Sequence, residues 1–345
     1  MSKKNSNVIL KNSFKNYGEL SNIYDIFNKK LNFLKNKIIL VAVSGGPDSL
    51  ALSALVKAYS YQKKCKIYYV LVDHNLRKGS SNEAQSVKKM LKKHKIFLHI
   101  LKNKILINNN IQSNARDIRY NLLTNFCKKK KIKTILTGHN LEDQVETFFI
   151  RLSRGSGLQG LASMKPISKI NGNINLIRPL LEFKKNELIK ISKLIFGKFY
   201  KDPTNKNKKY LRTRVRNLKK ILEKTGINYD QIFKSIKNLA SSRDTLNSYF
   251  NRIYKETINS DNKNKKIVIL IKKYNAHNQE MKMKIFQQSI KSLTNSYYSP
   301  RSKKILNLIN GIKIKKNAKF TLGGCLVVRQ NNHLIIKKEK KSSQY

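Results

Sequence analysis

Cysteine is scarce in this chain: Cys65, Cys127 and Cys325 stand far apart, and no C-x-x-C occurs. That argues against a disulfide scaffold, a structural zinc site and an iron–sulfur cluster, and it suits a reducing compartment. Acidic residues are scarce as well, 19 against 73 lysines and arginines, for a formal charge of +54. A compact fold with such an excess repels itself unless a polyanion or counterions screen it. Nucleic acid therefore leads the partner classes. Part of the excess follows from the crowding of Lys, Asn and Ile that an A+T-rich genome imposes on any protein, so its sign carries more than its size. No run of about 18 apolar residues occurs, so no transmembrane helix is expected. The opening MSKKNSNVILKNSFKNYGEL lacks the apolar core of a signal peptide. A cytoplasmic protein without a membrane partner is expected.

What the chain does have is alternation. Residues 1–37 read as a basic extension with one amphipathic stretch, ELSNIYDIFNKKLNFL. Then KIILVAV, KIYYVLVDHN, IFLHILK and KTILTGHN read as strands, each followed by a helical stretch. Continuous β-branched runs are the mark of strands buried on both faces. The alternation predicts an α/β fold, a doubly wound, mostly parallel sheet with helices on both faces. Ser80 and Glu83 are spaced as a capping box before the second of these helices. The texture changes after residue 222. Residues 223–262 read as a helical region ending in the linker-like SDNKNKK, and 263–345 as a small α+β part closed by a hairpin around Gln-Asn-Asn-His. The catalytic domain is thus expected over 38–222.

The chemistry concentrates first in Ser44-Gly45-Gly46-Pro47-Asp48-Ser49, directly after the first strand. Two glycines open backbone conformations closed to other residues and leave room for an anion. Pro47 suits the first position of a helix, whose free N–H groups and dipole then face the ligand. This describes a phosphate cradle at the carboxyl edge of a parallel sheet. Asp48 beside phosphate implies an intervening Mg²⁺ ion, for which it is the candidate ligand.

SGGPDS resembles the SGGxDS loop of the PP-loop ATP pyrophosphatases, which split ATP between its α and β phosphates. Four further stretches are similar to the tRNA(Ile)-lysidine synthetase family: VDHNLR (72–77), ARDIRY (115–120), TGHNLEDQVETFFIRLSRGSGLQGLASM (137–164), and the pair IRPLLEFKKNEL with YKDPTNKNKKYLRTRVR (177–188 and 200–216). Together with the loop they span residues 38–216 in order. The resemblance departs at Arg212-Thr213, where the family carries Arg-Asn, and at Lys201, where an acid is common.

The resemblance places ATP against Ser44–Ser49, Asp73, His74, Gly138 and His139, and puts Arg116 in the active site. Arg116 and Arg119 stand at i, i+3, so their heads can share a helix face. Asp143 and Glu146, also at i, i+3, form a carboxylate pair in a chain short of carboxylates. Their early position also suits the helix dipole, with Asn140 as cap. The resemblance assigns them to the lysine cation and to ion or proton handling, without separating the two. Arg151 and Arg154 lie in a glycine-containing segment that reads as a mobile loop over substrate. Arg212, Arg214 and Arg216 form a basic helix suited to RNA backbone.

The implied reaction joins L-lysine to C2 of the wobble cytidine in a CAU-anticodon isoleucine tRNA, by way of an adenylated cytidine. ATP and Mg²⁺ are the implied cofactors, and a homodimer is one arrangement the chain allows. Two rivals remain at this level: a PP-loop cytidine thiolase, which generally needs a cysteine-rich site, and a non-catalytic RNA-binding protein with a relic nucleotide fold.

Overall fold

The computed structural model describes residues 3–35, 38–76, 79–103, 105, 111–171, 173–200, 210–261, 266–294, 296, 299–314 and 318–339. Its contacts divide the chain into two compact units, Met1–Ala240 and Ser241–Tyr345. Among the described residues no helix is long and apolar enough to cross a membrane.

The first unit opens with helices α1 (Lys3–Lys11) and α2 (Glu19–Leu31). Strand and helix then alternate: β1 (Ile38–Val43), α3 (Pro47–Lys63), β2 (Lys66–Asp73), α4 (Ser80–Lys92), β3 (Leu98–Lys102), α5 (Ile111–Lys129) and β4 (Thr134–Leu136). After these come α6 (Leu141–Leu152), α7 (Leu158–Leu161), β5 (Ile167–Ile170), β6 (Ile174–Ile177), α8 (Lys185–Phe196), α9 (Leu211–Lys224) and α10 (Tyr229–Thr257), whose residues from Ser241 on belong to the second unit. The six strands form one sheet in the order β3-β2-β1-β4-β6-β5. All neighbours are parallel except β5, which returns antiparallel to β6. The doubly wound α/β expectation is met.

The sheet is central because β1 is apolar on both faces. Ile39 and Val41 join one core, shared with α3 and α8, while Leu40 joins another with Leu123 and Cys127 of α5. The basic extension is not loose. Leu10 and Phe14 near α1, and Phe27 and Leu31 of α2, are fully buried in the α3–α8 core. The amphipathic stretch forms α2, whose Leu20, Ile23, Tyr24, Phe27 and Leu31 are buried. The chain after α1 is held by left-handed Ser13 and Phe14, at φ of 52° and 63°, for which the sequence carries no glycine signal.

In the second unit β7 (Ile258–Asp261), β8 (Lys266–Leu270), β9 (Lys319–Leu322), β10 (Cys325–Gln330) and β11 (His333–Lys338) form an antiparallel sheet ordered β7-β8-β11-β10-β9. Helices α11 (Ile271–Asn275), α12 (Gln279–Thr294) and α13 (Ser302–Ile314) accompany it. Ile285, Phe286, Ile305 and Ile309 share its core with Ile269, Val327 and Ile336. The β10–β11 hairpin around Gln-Asn-Asn-His is present. The stretch SDNKNKK is not simply a linker. Its first residues end β7, and its last begins β8, paired Asp261 to Lys266. Polar edge residues hid the strand from a hydrophobicity reading.

Candidate active site

Four parallel strands, β1, β2, β4 and β6, end at one edge of the sheet, and the segments that follow them build the site. Ser44–Ser49 leaves β1. Gly45 takes φ of +81°, and a Cβ there would lie 2.8 Å from Val87 Cγ2. Both facts demand glycine. Pro47 is the first residue of α3. The first intrahelical bond runs from Leu50 N–H to Gly46 O, 3.0 Å, so the amides of Asp48 and Ser49 have no partner inside the helix. Ser49 Oγ organises the loop: it accepts from Ser44 N–H and Ser44 Oγ, both at 3.1 Å, and donates to Gly46 O at 3.0 Å. Tyr200 N–H donates to Gly45 O at 3.0 Å, tying the loop to the chain beyond α8.

Asp48 follows with a buried Oδ1 that has no hydrogen-bond partner. Burial pushes its carboxyl from 3.8 up to about 6, helped by Asp143 and Glu142 and opposed by Lys185. A lone carboxylate oxygen of this kind fits a cation better than it fits phosphate.

Asp73 ends β2 and is 3% exposed. It accepts from Asn75 N–H at 3.0 Å, Ser80 Oγ at 2.8 Å and Ser81 Oγ at 2.5 Å. Burial raises its pKa, but these bonds and Lys102 outweigh that and hold it below the ordinary value. Here the capping-box reading of Ser80 is corrected: α4 has Gly79 as its N-cap with no side-chain cap, and Ser80 serves Asp73 instead. His74 next to it is kept neutral by burial and by Arg119, and its Nδ1 is buried without a partner.

After β4 comes Thr137-Gly138-His139-Asn140. A Cβ on Gly138 would fall 2.9 Å from Asp48 O and 3.1 Å from Ser49 N. These are backbone atoms that cannot step aside, so this turn is pressed directly onto the phosphate loop. His139 Nδ1 lies 2.9 Å from Thr137 Oγ1. Burial first, and then Arg178, Arg116, Arg119 and Arg212, hold its pKa well below the usual histidine value. Asn140 caps α6 as expected, in a capping box: Asp143 N–H donates to Asn140 Oδ1 at 2.9 Å, and Asn140 N–H to Asp143 Oδ2 at 3.1 Å.

The carboxylate pair is already engaged. Glu146, 2% exposed, accepts from Arg212 Nε at 2.7 Å, Arg216 Nε at 2.5 Å and Arg216 Nη2 at 3.1 Å. Arg212 Nη2 also reaches Asp143 Oδ1 at 3.2 Å. Burial alone would lower the Arg216 pKa, but its bond and charge pairing with Glu146 raise it. The structure thus brings Asp143, Glu146, Arg212 and Arg216 together, with Asp48 close enough to interact by charge. Arg214, one residue off that face, is exposed.

Arg151 and Arg154 differ from each other. Arg151 Nη1 donates to Gly160 O at 2.6 Å and to Ser163 O at 3.0 Å, so it braces its own loop. Gln144 does the same from α6, bonding both ways with Met164. Arg154 is exposed. The Asp202-Pro203-Thr204-Asn205 turn, Lys201 and Arg77 lie outside the described residues.

Arg116 and Arg119 both lie against the Tyr120 ring, 5.0 and 5.7 Å from its centroid. Sequence reasoning passed over two members of the set. Arg178, after β6, is 4% exposed and holds Lys165 O at 2.7 Å and Ser168 Oγ at 3.1 Å, while its Nε is buried and unpaired. Lys185 starts α8, where its N–H donates to Glu142 Oε2 at 2.9 Å. The position of IRPLLEFKK at the end of β6, the fifth parallel strand, was the available signal for both.

A glycine loop between the first strand and first helix of a parallel sheet, answered by side chains at the ends of its neighbours, defines an α/β nucleotide-binding domain. A family model described as a PP-loop domain matches residues 19–223. The chain is 33% identical over 315 residues to a tRNA(Ile)-lysidine synthase of Wolbachia pipientis wMel, covering 90% of this chain and 72% of that one. It is 31% identical over 321 residues to the enzyme of that name from Rickettsia typhi, covering 92% and 73%. Against the one from Orientia tsutsugamushi it is 44% identical over 191 residues, 54% of this chain and 42% of the other. Among solved structures, a U34-tRNA thiolase of Methanococcus maripaludis with a [4Fe-4S] cluster superposes with a TM-score of 0.53 at 21% identity, over 64% of this chain and 78% of that one. That likeness concerns the fold. Among the described residues no three His, Cys, Asp or Glu side chains gather as metal ligands. This chain belongs to the PP-loop proteins and, within them, to the tRNA(Ile)-lysidine synthase family.

Proposed function

We propose that this chain ligates L-lysine to C2 of the wobble cytidine in a CAU-anticodon isoleucine tRNA, using ATP and releasing AMP and pyrophosphate, in the cytoplasm. One observation carries the assignment of the site. Gly138 allows no clearance between the phosphate loop and the turn that leads into α6, so Asp48 and the Asp143–Glu146 pair share one rigid frame.

In the first step the C2 oxygen of cytidine attacks the α-phosphorus of ATP, and the bond to the pyrophosphate oxygen breaks. The amides at the start of α3, with Ser44 and Ser49, take the phosphate charge. The unpartnered Oδ1 of Asp48 would hold a Mg²⁺ ion, which when bound neutralises phosphate charge. Arg116, Arg119, Arg178 and Arg212 supply positive charge around His139. They favour the growing negative charge of the leaving group while keeping the imidazole neutral.

In the second step the lysine amine gives its proton to the Asp143–Glu146 carboxylate pair and attacks C2, and the C2–O bond breaks to expel AMP. Asp143 and Glu146 receive the lysine cation, sharing or exchanging the places of the Arg212 and Arg216 guanidiniums. A guanidinium and an ammonium meet a carboxylate at similar distance and charge, so the exchange conserves electrostatics. The anticodon loop is single-stranded, which lets its cytidine splay into the site.

The test is incubation of the purified chain with ATP, Mg²⁺, labelled lysine and a CAU-anticodon isoleucine tRNA transcript. A methionine tRNA with the same anticodon serves as the control. Label in the first RNA alone, with AMP released, is expected. ATP cleavage without lysine in RNA would overturn the substrate assignment and leave the PP-loop reading standing.

A further inference from the structure

The second unit carries a cavity that the reaction does not use. It has a volume of about 350 Å³ and is walled by Ile271, Ile309, Ile312 and Leu334, with Tyr274, Asn275, Lys313 and Arg329 as its polar lining. That is the lower size range of small-ligand sites. Two observations distinguish it from a packing defect. Its cations are not balanced: Arg329 gives Nη1 to Ile312 O at 3.0 Å, and Lys313 is exposed. Among the described residues no acid lines the cavity, and Asp244, Glu256, Asp261, Glu280 and Glu339 are the only acids in the sequence of the unit.

We propose that this cavity is a nucleotide pocket, which takes one unpaired nucleotide of the RNA substrate away from the reacting cytidine. Flat aliphatic walls suit a planar base. The Asn275 amide, exposed at the rim, offers both a donor and an acceptor to a base edge, the means by which proteins read splayed bases in single-stranded RNA. Lys313 and Arg329 match the nucleotide's phosphate. An apolar ligand would leave both cations unanswered, and an acidic peptide would leave the aliphatic walls unfilled. The proposal rests on RNA being the substrate, and its test does not require lysidine to form.

The chain contains no tryptophan, so Ile314→Trp, at a residue 79% exposed and one position beyond Lys313, installs a single fluorescent reporter. Titration of this full-length variant with UMP should quench the tryptophan along a saturating curve. In the same background Ile309→Phe, which fills the cavity, and Asn275→Ala, which removes the amide, should each weaken UMP at least fivefold. In lysine transfer by the otherwise unaltered chain, Asn275→Ala should raise the KM for tRNA severalfold and leave kcat unchanged. Linear, purely collisional quenching, or equal UMP affinity in all three proteins, overturns the proposal. Competition by inorganic phosphate as strong as by UMP reduces the site to an anion patch and overturns the nucleotide claim. If UMP binds as expected but no lysine is transferred to RNA, the pocket stands and the reaction assigned above falls.

Discussion

Asp48→Asn separates stability from chemistry at the phosphate loop. Burial raises the Asp48 carboxyl from 3.8 to about 6, about two pH units at 1.36 kcal/mol each, or about 3 kcal/mol as a ceiling. The sign follows from proton counting. Between those two values the folded chain holds a proton that the unfolded chain has released, so stability falls as pH rises through that window. Above pH 7 the whole cost is present, and at pH 4.5 only about 1 kcal/mol of it remains. Asparagine keeps the shape and removes the charge. The variant should therefore be more stable than the parent by up to about 3 kcal/mol at pH 7.5, about 6–12 °C in melting temperature for a unit of this size, with most of that gain gone at pH 4.5. The same variant should lose ATP-dependent lysine transfer while binding tRNA like the parent. Denaturant titrations at the two pH values, a labelled-lysine transfer assay and filter binding of tRNA measure the three quantities. A variant no more stable at pH 7.5, or equally stabilised at both pH values, refutes the buried-charge argument. Retained turnover refutes the cation role.

Gly138→Ala should abolish lysine transfer and ATP cleavage together, since its Cβ would meet the Asp48 and Ser49 backbone at 2.9–3.1 Å; loss of one activity alone would show that the two sites are not tied. Arg216→Ala should cost about 1–3 kcal/mol of stability, below a fully buried pair because its side chain is 32% exposed. It should also change the KM for lysine more than that for ATP, as steady-state kinetics would show; equal changes in both would detach Arg216 from the lysine site. Phe27→Ala should cost about 3–5 kcal/mol in chemical denaturation, because Phe27 is fully buried against the catalytic core; a cost below 1 kcal/mol would make the N-terminal helices an appendage.

Much of the first unit was legible because its signals are local. A buried parallel strand is a continuous apolar run, a helix N-terminus needs its cap, and a phosphate loop needs glycine. Asn140 is the clear instance: its capping box is written in four adjacent residues. Ser80 is the opposite instance. It sits at capping spacing with Glu83, yet Asp73, brought near by the fold, takes its hydroxyl. The same limit hid Arg178 and Lys185, whose neighbours come from other segments. It also hid the pairing of Glu146 with Arg216, 70 residues apart. Strand β7 was missed because an edge strand with polar residues lacks the apolar run that a hydrophobicity reading seeks. Arg151 shows that a long cation in a glycine-containing segment can serve its own backbone carbonyls.

The contact of Tyr200 N–H with Gly45 O gives the phosphate loop a hold at its middle, between β1 and α3. A loop held only through its flanking elements would be free to flex at its middle with each turnover. One pinned there as well presents nearly the same cradle before and after pyrophosphate departs. On the reading proposed above, product then has to leave by its own dissociation rather than by being released as the loop opens. The slow event of the cycle would accordingly move from the protein to the ligand, and turnover would follow the affinity for pyrophosphate more closely than the stiffness of the fold.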